Sequence, residues 1–275
     1  MSQPLVSIIV PTYKSATTLA ACLESIKNQT YPQIELIVID NHSTDNTVDI
    51  AKTFTPNVHV RGPERSAQRN YGVEISKGKY VVIIDSDMEL GPKVIEACVE
   101  KTETSEQVGG VVIPEESFGK GFWAQCKRLE RSFYVGIDWI EAARFYRKDL
   151  YQKLGGYNES LVSGEDWDLS QRMGKISKID RVPEFIMHNE GHLRLGTTLK
   201  KKYYYAQKFA EYLKANKTTE QVGAQTGLFS RYKIFLSRPG KLFRNPILGI
   251  GMLFMKTCEF GFGGFGFLAV KVKSR

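Results

Sequence analysis

The chain has 275 residues, 42% hydrophobic and 25% charged, which is ordinary for a globular protein and enough for one large domain or a domain with an extension. Four scattered cysteines, Cys22, Cys98, Cys126 and Cys258, form no CxxC pair, which argues against a zinc site or a disulfide framework and for buried thiols in a reducing compartment. The net charge of +8 suits nucleic acid, a membrane surface or anionic phosphates, so the placement of the charges must choose among them.

No basic leader precedes the first strand pattern, and no signal peptide is expected. Residues 5–10 are apolar apart from Ser7 and stop at Pro11, which predicts a strand. Residues 16–29 place Leu19, Cys22, Leu23 and Ile26 at helical spacing, with Thr17 or Thr18 as cap. Residues 35–39 predict a second buried strand ending at Asp40, after which Ser43 and Thr44 are available to cap a helix through Val48, Ile50 and Ala51. A short strand at 58–60 and a helix at 66–76 follow. The run Tyr80-Val81-Val82-Ile83-Ile84 then reads as a strand buried on both faces, and it leads straight into Asp85-Ser86-Asp87. This alternation predicts an α/β fold, a Rossmann-like, mostly parallel sheet with helices on both faces.

A helix at 93–103 and a strand at 109–113 continue the pattern, which then loosens. Residues 118–139 are aromatic and basic, a helix ends at the pair Gly155-Gly156, and 167–173 predicts a short helix. This half is expected over the carboxyl edge of the sheet. The resulting division is a domain over 1–195, with halves 1–90 and 91–195, and an extension over 196–275.

The acids are the chemical signal. Asp85 and Asp87 lie at the carboxyl end of a buried strand, where open α/β sheets bind ligands. A hard divalent cation, Mg²⁺ or Mn²⁺, carrying substrate phosphates suits such carboxylates. Asp40, also at a strand end, can accept hydrogen bonds from a nucleoside or can build an Asx turn. Arg65 and Arg69 share a helix face and offer a phosphate ligand or a solvated pair. Gly164-Glu165-Asp166-Trp167-Asp168 crowds three acids, of which one can serve as general base and others can complement a helix N-terminus. His188 and His192 do not form a His-Glu-x-x-His motif, which leaves His188 as a supplementary ligand or a structural residue.

Taken in order, Ser7-Ile8-Ile9-Val10-Pro11-Thr12-Tyr13, Val38-Ile39-Asp40-Asn41-His42-Ser43-Thr44-Asp45, Ala67-Gln68-Arg69-Asn70-Tyr71-Gly72, Asp85-Ser86-Asp87 and Leu154-Gly155-Gly156-Tyr157-Asn158-Glu159 with Gly164 to Asp168 resemble the family 2 glycosyltransferases over roughly residues 5–192. The resemblance implies a GT-A fold and inverting transfer from a nucleotide-diphosphate sugar. It implies that Pro11, Thr12, Tyr13 and Asp40 line the nucleoside pocket, with Arg69, Asp85 and Ser86 also on the nucleotide-sugar. It makes Asp87 the metal ligand with His188 as a supplementary ligand, Asp166 the general base and Glu165 a support of the acceptor site. Asp40-Asn41-His42 stands where the family's Asp-Asp-Gly is usual, which puts uracil specificity in doubt. A non-catalytic nucleotide- or glycan-binding scaffold of the same fold is the alternative. The lack of Gly-x-Gly-x-x-Gly after the first strand argues against a dinucleotide-dependent oxidoreductase.

Past residue 195, Arg231, Lys233, Arg238, Lys241 and Arg244 interleave with Phe229, Tyr232, Phe235, Leu236, Leu242 and Phe243, and 247–270 is apolar and Gly-rich around Lys256 and Glu259. The basic-aromatic pattern suits an anionic membrane surface, with no nucleic-acid module recognised. Residues 247–270 read as an interfacial or re-entrant segment, a packed helix, or a span. The expectation is peripheral or monotopic attachment at the cytoplasmic face, with a lipid-linked or other glycan as acceptor.

Overall fold

The computed structural model describes residues 3–216, 223, 225 and 227–273. They fall into two compact units that interleave along the chain, the first comprising 3–114, 142–159 and 165–189, the second 115–141, 160–164 and the described residues from 190 onward.

The first unit is built on strands β1 (Val6–Thr12), β2 (Ile34–Asp40), β3 (Val58–Val60), β4 (Tyr80–Ile83), β5 (Met88–Leu90) and β6 (Val108–Val112). The second unit holds β7 (Glu115–Lys120); β8 (Phe145–Arg147) and β9 (Lys178–Arg181) return to the first, and β10 (Ile186–His192) passes from the first to the second. The main sheet runs β3-β2-β1-β4-β8-β6-β9. Its β3, β2, β1 and β4 are parallel, β8 is antiparallel to both neighbours, and β6 and β9 are parallel. The mostly parallel α/β sheet expected from the sequence is therefore present.

Side-chain alternation divides the interior into two layers. Ile8, Val10, Val38 and Val82 face a core completed by Leu19, Cys22, Leu23 and Ile26 of α1 (Leu19–Lys27) and by Ala51 of α2 (Thr47–Phe54). Ile9, Ile37, Ile39, Val81 and Ile83 face a second core with Val73 of α3 (Arg65–Ile75). The helix α4 (Val94–Glu103) adds Val94, Ile95, Cys98 and Val99 to the first core. Two faces buried at once explain why these strands read as continuous apolar runs.

Several expectations need correction. β1 continues through Pro11 to Thr12. Proline is tolerated there because β1 pairs with β4 only through Val6 to Ile9, so at Pro11 no ladder bond from that side needs an N–H. Ser43 and Thr44 do not cap α2, whose N-cap is Asn46, because Ser43 is engaged by Asp40. Thr18 precedes α1 but makes no side-chain cap bond. The later half does not merely cover the carboxyl edge, since β6, β8 and β9 extend the sheet itself. Three of the four cysteines are buried free thiols, and Cys258 is partly exposed.

The second unit is helical apart from β7 and the end of β10. It contains α5 (Phe122–Ser132), whereas α6 (Lys148–Lys153) and α7 (Glu165–Gly174) belong to the first unit. Then come α8 (Leu195–Ala215), α9 (Leu228–Leu236), α10 (Pro239–Leu242) and α11 (Pro246–Lys273). Cys126, Phe133, Phe235, Leu242, Met252 and Met255 form its core. Among the described residues no helix is long and apolar enough to cross a membrane, which removes the span reading of 247–270 for them.

Candidate active site

The strand order 3-2-1-4 puts the reversal of winding between β1 and β4, and ligands of open α/β sheets bind beyond the carboxyl ends at such a switch point. All of the predicted acids of the first unit gather on elements around that end.

On the β2 side the parallel register sets Thr12 beside Asp40. Asp40 is buried, and its carboxylate accepts from Thr12 Oγ1 at 2.9 Å, Ser43 Oγ at 2.6 Å and Ser43 N at 2.7 Å. The backbone bond reaches three residues on, not the two of an Asx turn, and it ties down the loop that follows β2. Pro11 and Thr12 are buried, Tyr13 stands out 57% exposed, and Ser86 Oγ lies 2.7 Å from Ser15 Oγ. Beside them Asn41, His42, Val60, Arg61, Gly62 and Pro63 line an open hollow of about 490 Å³. Gln68, not singled out from sequence, donates to Thr12 O at 3.0 Å and Ile39 O at 2.6 Å and so ties the ends of β1 and β2 to α3. It can do so because α3 rides close to the sheet, where a Cβ on Gly72 would come within 2.5 Å of Ile9 Cγ2.

On the β4 side the centre is Arg69, a fully buried arginine. Its Nη2 donates to Asp85 Oδ1 at 2.6 Å, and its Nη1 contacts Asp166 Oδ1 at 3.0 Å and Glu165 Oε1 at 3.3 Å. Its face lies over the Tyr157 ring, 4.9 Å from the centroid. Arg65, one turn earlier, places Nε 2.8 Å from Glu165 Oε1, and Arg144 Nη1 lies 3.5 Å from Asp85 Oδ2. Arg69 is therefore committed to carboxylates rather than turned toward a nucleotide. Glu165 is buried against the same guanidinium groups.

The electrostatics follow from this wiring. Burial alone would raise Asp85, but Arg69, Arg144 and Arg65 outweigh it and hold the carboxyl well below the usual carboxylate range. Glu165 goes the other way, raised by burial and by the adjacent Asp166 against the pull of Arg65 and Arg69. The third acid of the cluster, Asp168, pairs with Arg172 at 2.8 Å, as i,i+4 partners on a helix do. Crowding in the first turn of α7 is eased by the helix N-terminus. The neighbouring turn is fixed by Gly155 and Gly156, with φ of 75° and 68° at the end of α6. Arg172 donates to Gly156 O at 2.7 Å, and Asn70, next to Arg69, exchanges bonds of 2.9 Å with the Tyr157 backbone.

Asp85 and Asp87 part company because β4 ends at Ile83. Asp87 faces outward, 43% exposed, with Oδ2 3.2 Å from His188 Nε2. The β5–β10 pairing sets Met88 opposite His188, and Asn189 N donates to Asp87 O at 2.8 Å, so the backbone holds the pair together. Among the described residues no three His, Cys, Asp or Glu side chains cluster to hold a metal by themselves. One carboxylate and one imidazole nevertheless fit a hard cation that brings phosphate oxygens with it, since Mg²⁺ takes few protein ligands in such sites. Sequence reasoning gave Arg144 no role, because the strand beside it is three residues long, and it gave Gln68 none although its helix was expected, because its partners are backbone carbonyls of β1 and β2 distant in the chain.

Residues 7–159 match the family described as Glycosyl transferase family 2. A Mycobacterium tuberculosis (strain ATCC 25177 / H37Ra) protein named PGL/p-HBAD biosynthesis glycosyltransferase is 32% identical over 183 residues, covering 62% of this chain and 70% of that one. The Escherichia coli (strain K12) protein YibD, named an uncharacterized glycosyltransferase, is 38% identical over 96 residues, 33% of this chain and 28% of its own. Among solved structures, the mannosyltransferase PcManGT from Pyrobaculum calidifontis, in complex with GDP-Man and Mn²⁺, superposes with a TM-score of 0.61 at 18% identity, over 99% of this chain and 87% of its own. S. aureus TarS 1–349 gives 0.54 at 15% identity, over 98% and 92%. The fold is the GT-A fold of these neighbours.

Proposed function

The chain belongs to glycosyl transferase family 2 and is a nucleotide-sugar-dependent glycosyltransferase, and we propose that it moves a sugar, with inversion, from a nucleotide-diphosphate donor to a hydroxyl of a lipid-linked or cell-envelope glycan. The observation that carries the reading is the Arg69 bridge, because one buried guanidinium couples Asp85, beside the outward Asp87, to Asp166 at the start of α7.

Asp166 acts as general base. Its Oδ1 is held by Arg69 while its side chain stays partly open to solvent, so the carboxylate is oriented and still reachable by a hydroxyl. It takes the acceptor proton as the oxygen attacks the anomeric carbon, and the bond from that carbon to the diphosphate breaks with its electrons left on the departing phosphate. Asp87, with His188, would hold Mg²⁺ or Mn²⁺, which when bound neutralises charge on the diphosphate. Tyr13 and Ser86 meet the nucleoside side, on loops held in place by buried Pro11, Thr12 and Asp40, with the Asn41–Pro63 hollow beside them. Arg69 and Glu165 position rather than touch substrate. A neighbour of the same fold in complex with GDP-Man and Mn²⁺ supports the donor class and the metal, and a relative named for PGL/p-HBAD biosynthesis is consistent with a lipid-linked acceptor. The acceptor end is assigned to the cytoplasmic face of a membrane, with no part for nucleic acid.

The test is thermal melting with a panel of nucleoside diphosphates, with and without Mn²⁺, for the native chain and Asp87→Ala. Stabilisation by one nucleotide that requires Mn²⁺ and is lost in Asp87→Ala is expected. A folded protein that responds to no nucleotide would refute the reading.

A further inference from the structure

Helix α11 is turned inside out. Among its described side chains the charged ones, Lys256 and Glu259, are both buried. Lys256 Nζ lies 2.6 Å from Glu130 Oε1 and 2.9 Å from Glu259 Oε2, and Lys127 Nζ lies 2.8 Å from Glu130 and 3.4 Å from Glu259. Lys202 of α8 approaches Glu259 to 3.9 Å. The opposite face carries Ile247, Ile250, Phe254, Phe265 and Leu268, each more than half exposed, with Thr257 and Gly261 between them. Their spacing of three, four, seven or eleven residues puts them on one stripe, about 31 Å long at the α-helical rise.

A helix against water ordinarily points its charges outward and its apolar stripe inward. Burying ionic groups is costly unless they are paired, as these are, and the arrangement is otherwise unrewarded if the outer solvent is water. The exposed cations Arg238, Lys241 and Arg244, with exposed Leu236 and Phe243, lead into the stripe along the chain, and exposed Lys233 and Phe229, the latter 87% exposed, lie on α9, whose Tyr232 meets Thr257 midway along it. Aliphatic and aromatic side chains bordered by Lys and Arg fit an acyl–headgroup boundary with anionic phosphates above it. A second copy of the chain fits less well, because a two-fold pairing of this face would bring the cationic ends or the uncharged stripe into self-contact without any acidic complement.

We propose that the outer face of α11, with the basic residues 233–244, docks on an anionic lipid bilayer, the helix lying in the plane of the headgroups rather than crossing them. The surface belongs wholly to the second unit. It gives the proposed lipid-linked acceptor a location, but it does not depend on the donor or on the catalytic assignment.

The full-length protein is floated with vesicles of phosphatidylcholine alone and of phosphatidylcholine with phosphatidylglycerol. It is expected to float with the second and not the first, and to be released as salt rises. Phe254→Ser with Phe265→Ser is expected to lower the partition coefficient by tenfold or more, since each removes the burial of a large ring. Arg238→Glu with Arg244→Glu is expected to abolish the preference for phosphatidylglycerol. All four positions are exposed, so the melting temperatures of these variants should stay within a few degrees of the native chain, a check made independently of flotation. Phe265→Trp should be quenched by brominated lipid, placing the stripe in the membrane. Failure of the folded protein to bind anionic vesicles would overturn the proposal. So would binding indifferent to both serine substitutions, or a concentration-dependent dimer that the serine substitutions dissolve. Nucleotide-dependent melting read on the same samples tells failure of docking apart from failure of the transferase reading.

Discussion

Replacing Arg69 by lysine separates a positioning residue from one that binds the donor. The guanidinium reaches Asp85 at 2.6 Å, Asp166 at 3.0 Å and Glu165 at 3.3 Å from a position with no exposure to solvent. A lysine ammonium is a point charge on a shorter reach and lacks the fork by which one nitrogen meets Asp85 while the other meets Asp166 and Glu165. One or two charge-assisted bonds are lost, at about 1.5–3 kcal/mol each. Asp85 retains Arg144 and Glu165 retains Arg65, so the net cost should stay near about 2–4 kcal/mol. For a chain of this size that corresponds to a fall of about 4–15 °C in melting temperature. Asp166 loses its anchor, and a displacement on the order of 1 Å costs about 10²-fold in turnover. The assay is release of nucleoside diphosphate from the donor identified by melting, with kcat and KM resolved separately. The expected result is a fall in kcat with donor KM changed by less than about threefold, since uniform binding is untouched. A preserved kcat with donor KM raised tenfold would refute the reasoning and put Arg69 on the donor's phosphates.

Asp166→Asn should lower kcat by about 10²–10⁴-fold, the range of a lost general base, while nucleotide-induced stabilisation persists; unchanged turnover would remove that role. In the second unit burial opposes ionisation of Glu259, but Lys127, Lys202 and Lys256 prevail and bring it down to about 2 from its usual 4.5. A carboxyl depressed in the folded state adds stability above its unfolded value and loses it as pH falls, here between about 4.5 and 2. That loss is on the order of 3 kcal/mol, and denaturant titrations at pH 6, 4 and 3 should follow it; a flat profile would count against the buried network. Gly156→Ala should cost about 2–4 kcal/mol, because φ is 68° and the new Cβ would overlap Asn70 Oδ1, whereas Gly155→Ala, at φ 75° in open space, should cost about 1–2 kcal/mol. Equal losses in urea denaturation would show that the Asn70 contact is unimportant.

The parallel strands β1, β2 and β4 are legible because they are buried on two faces. Val81 and Ile83 face one core and Val82 the other, so no polar alternation interrupts the run that announces β4. The strand β8 is the opposite case: three residues cannot display a period, and only the ladder with Val82 and Val111 reveals that Phe145 belongs to the sheet. For the same reason Arg144, immediately before β8, carried no signal. The acids were found as residue types at strand and helix ends, but their directions were not. An i, i+2 spacing on a continuing strand would have turned Asp85 and Asp87 to one side, whereas the chain leaves the strand at Ile83 and sends one to Arg69 and the other to His188. Lys256 and Glu259 were legible as charges out of place in an apolar segment, and their partners on α5 and α8 lie too far away in sequence for any local pattern to show.

The ionic knot around Arg69 is electrically even, with Asp85, Glu165 and Asp166 set against Arg65, Arg69 and Arg144. Neutralising any one acid therefore tips the neighbourhood toward positive charge just where a diphosphate is expected to rest. An amide in place of Asp166 would stop proton removal and at the same time slow the escape of the nucleotide, so the disabled enzyme becomes the better trap. For anyone seeking to capture the donor from a cell extract, the variant that does no chemistry is the bait to use.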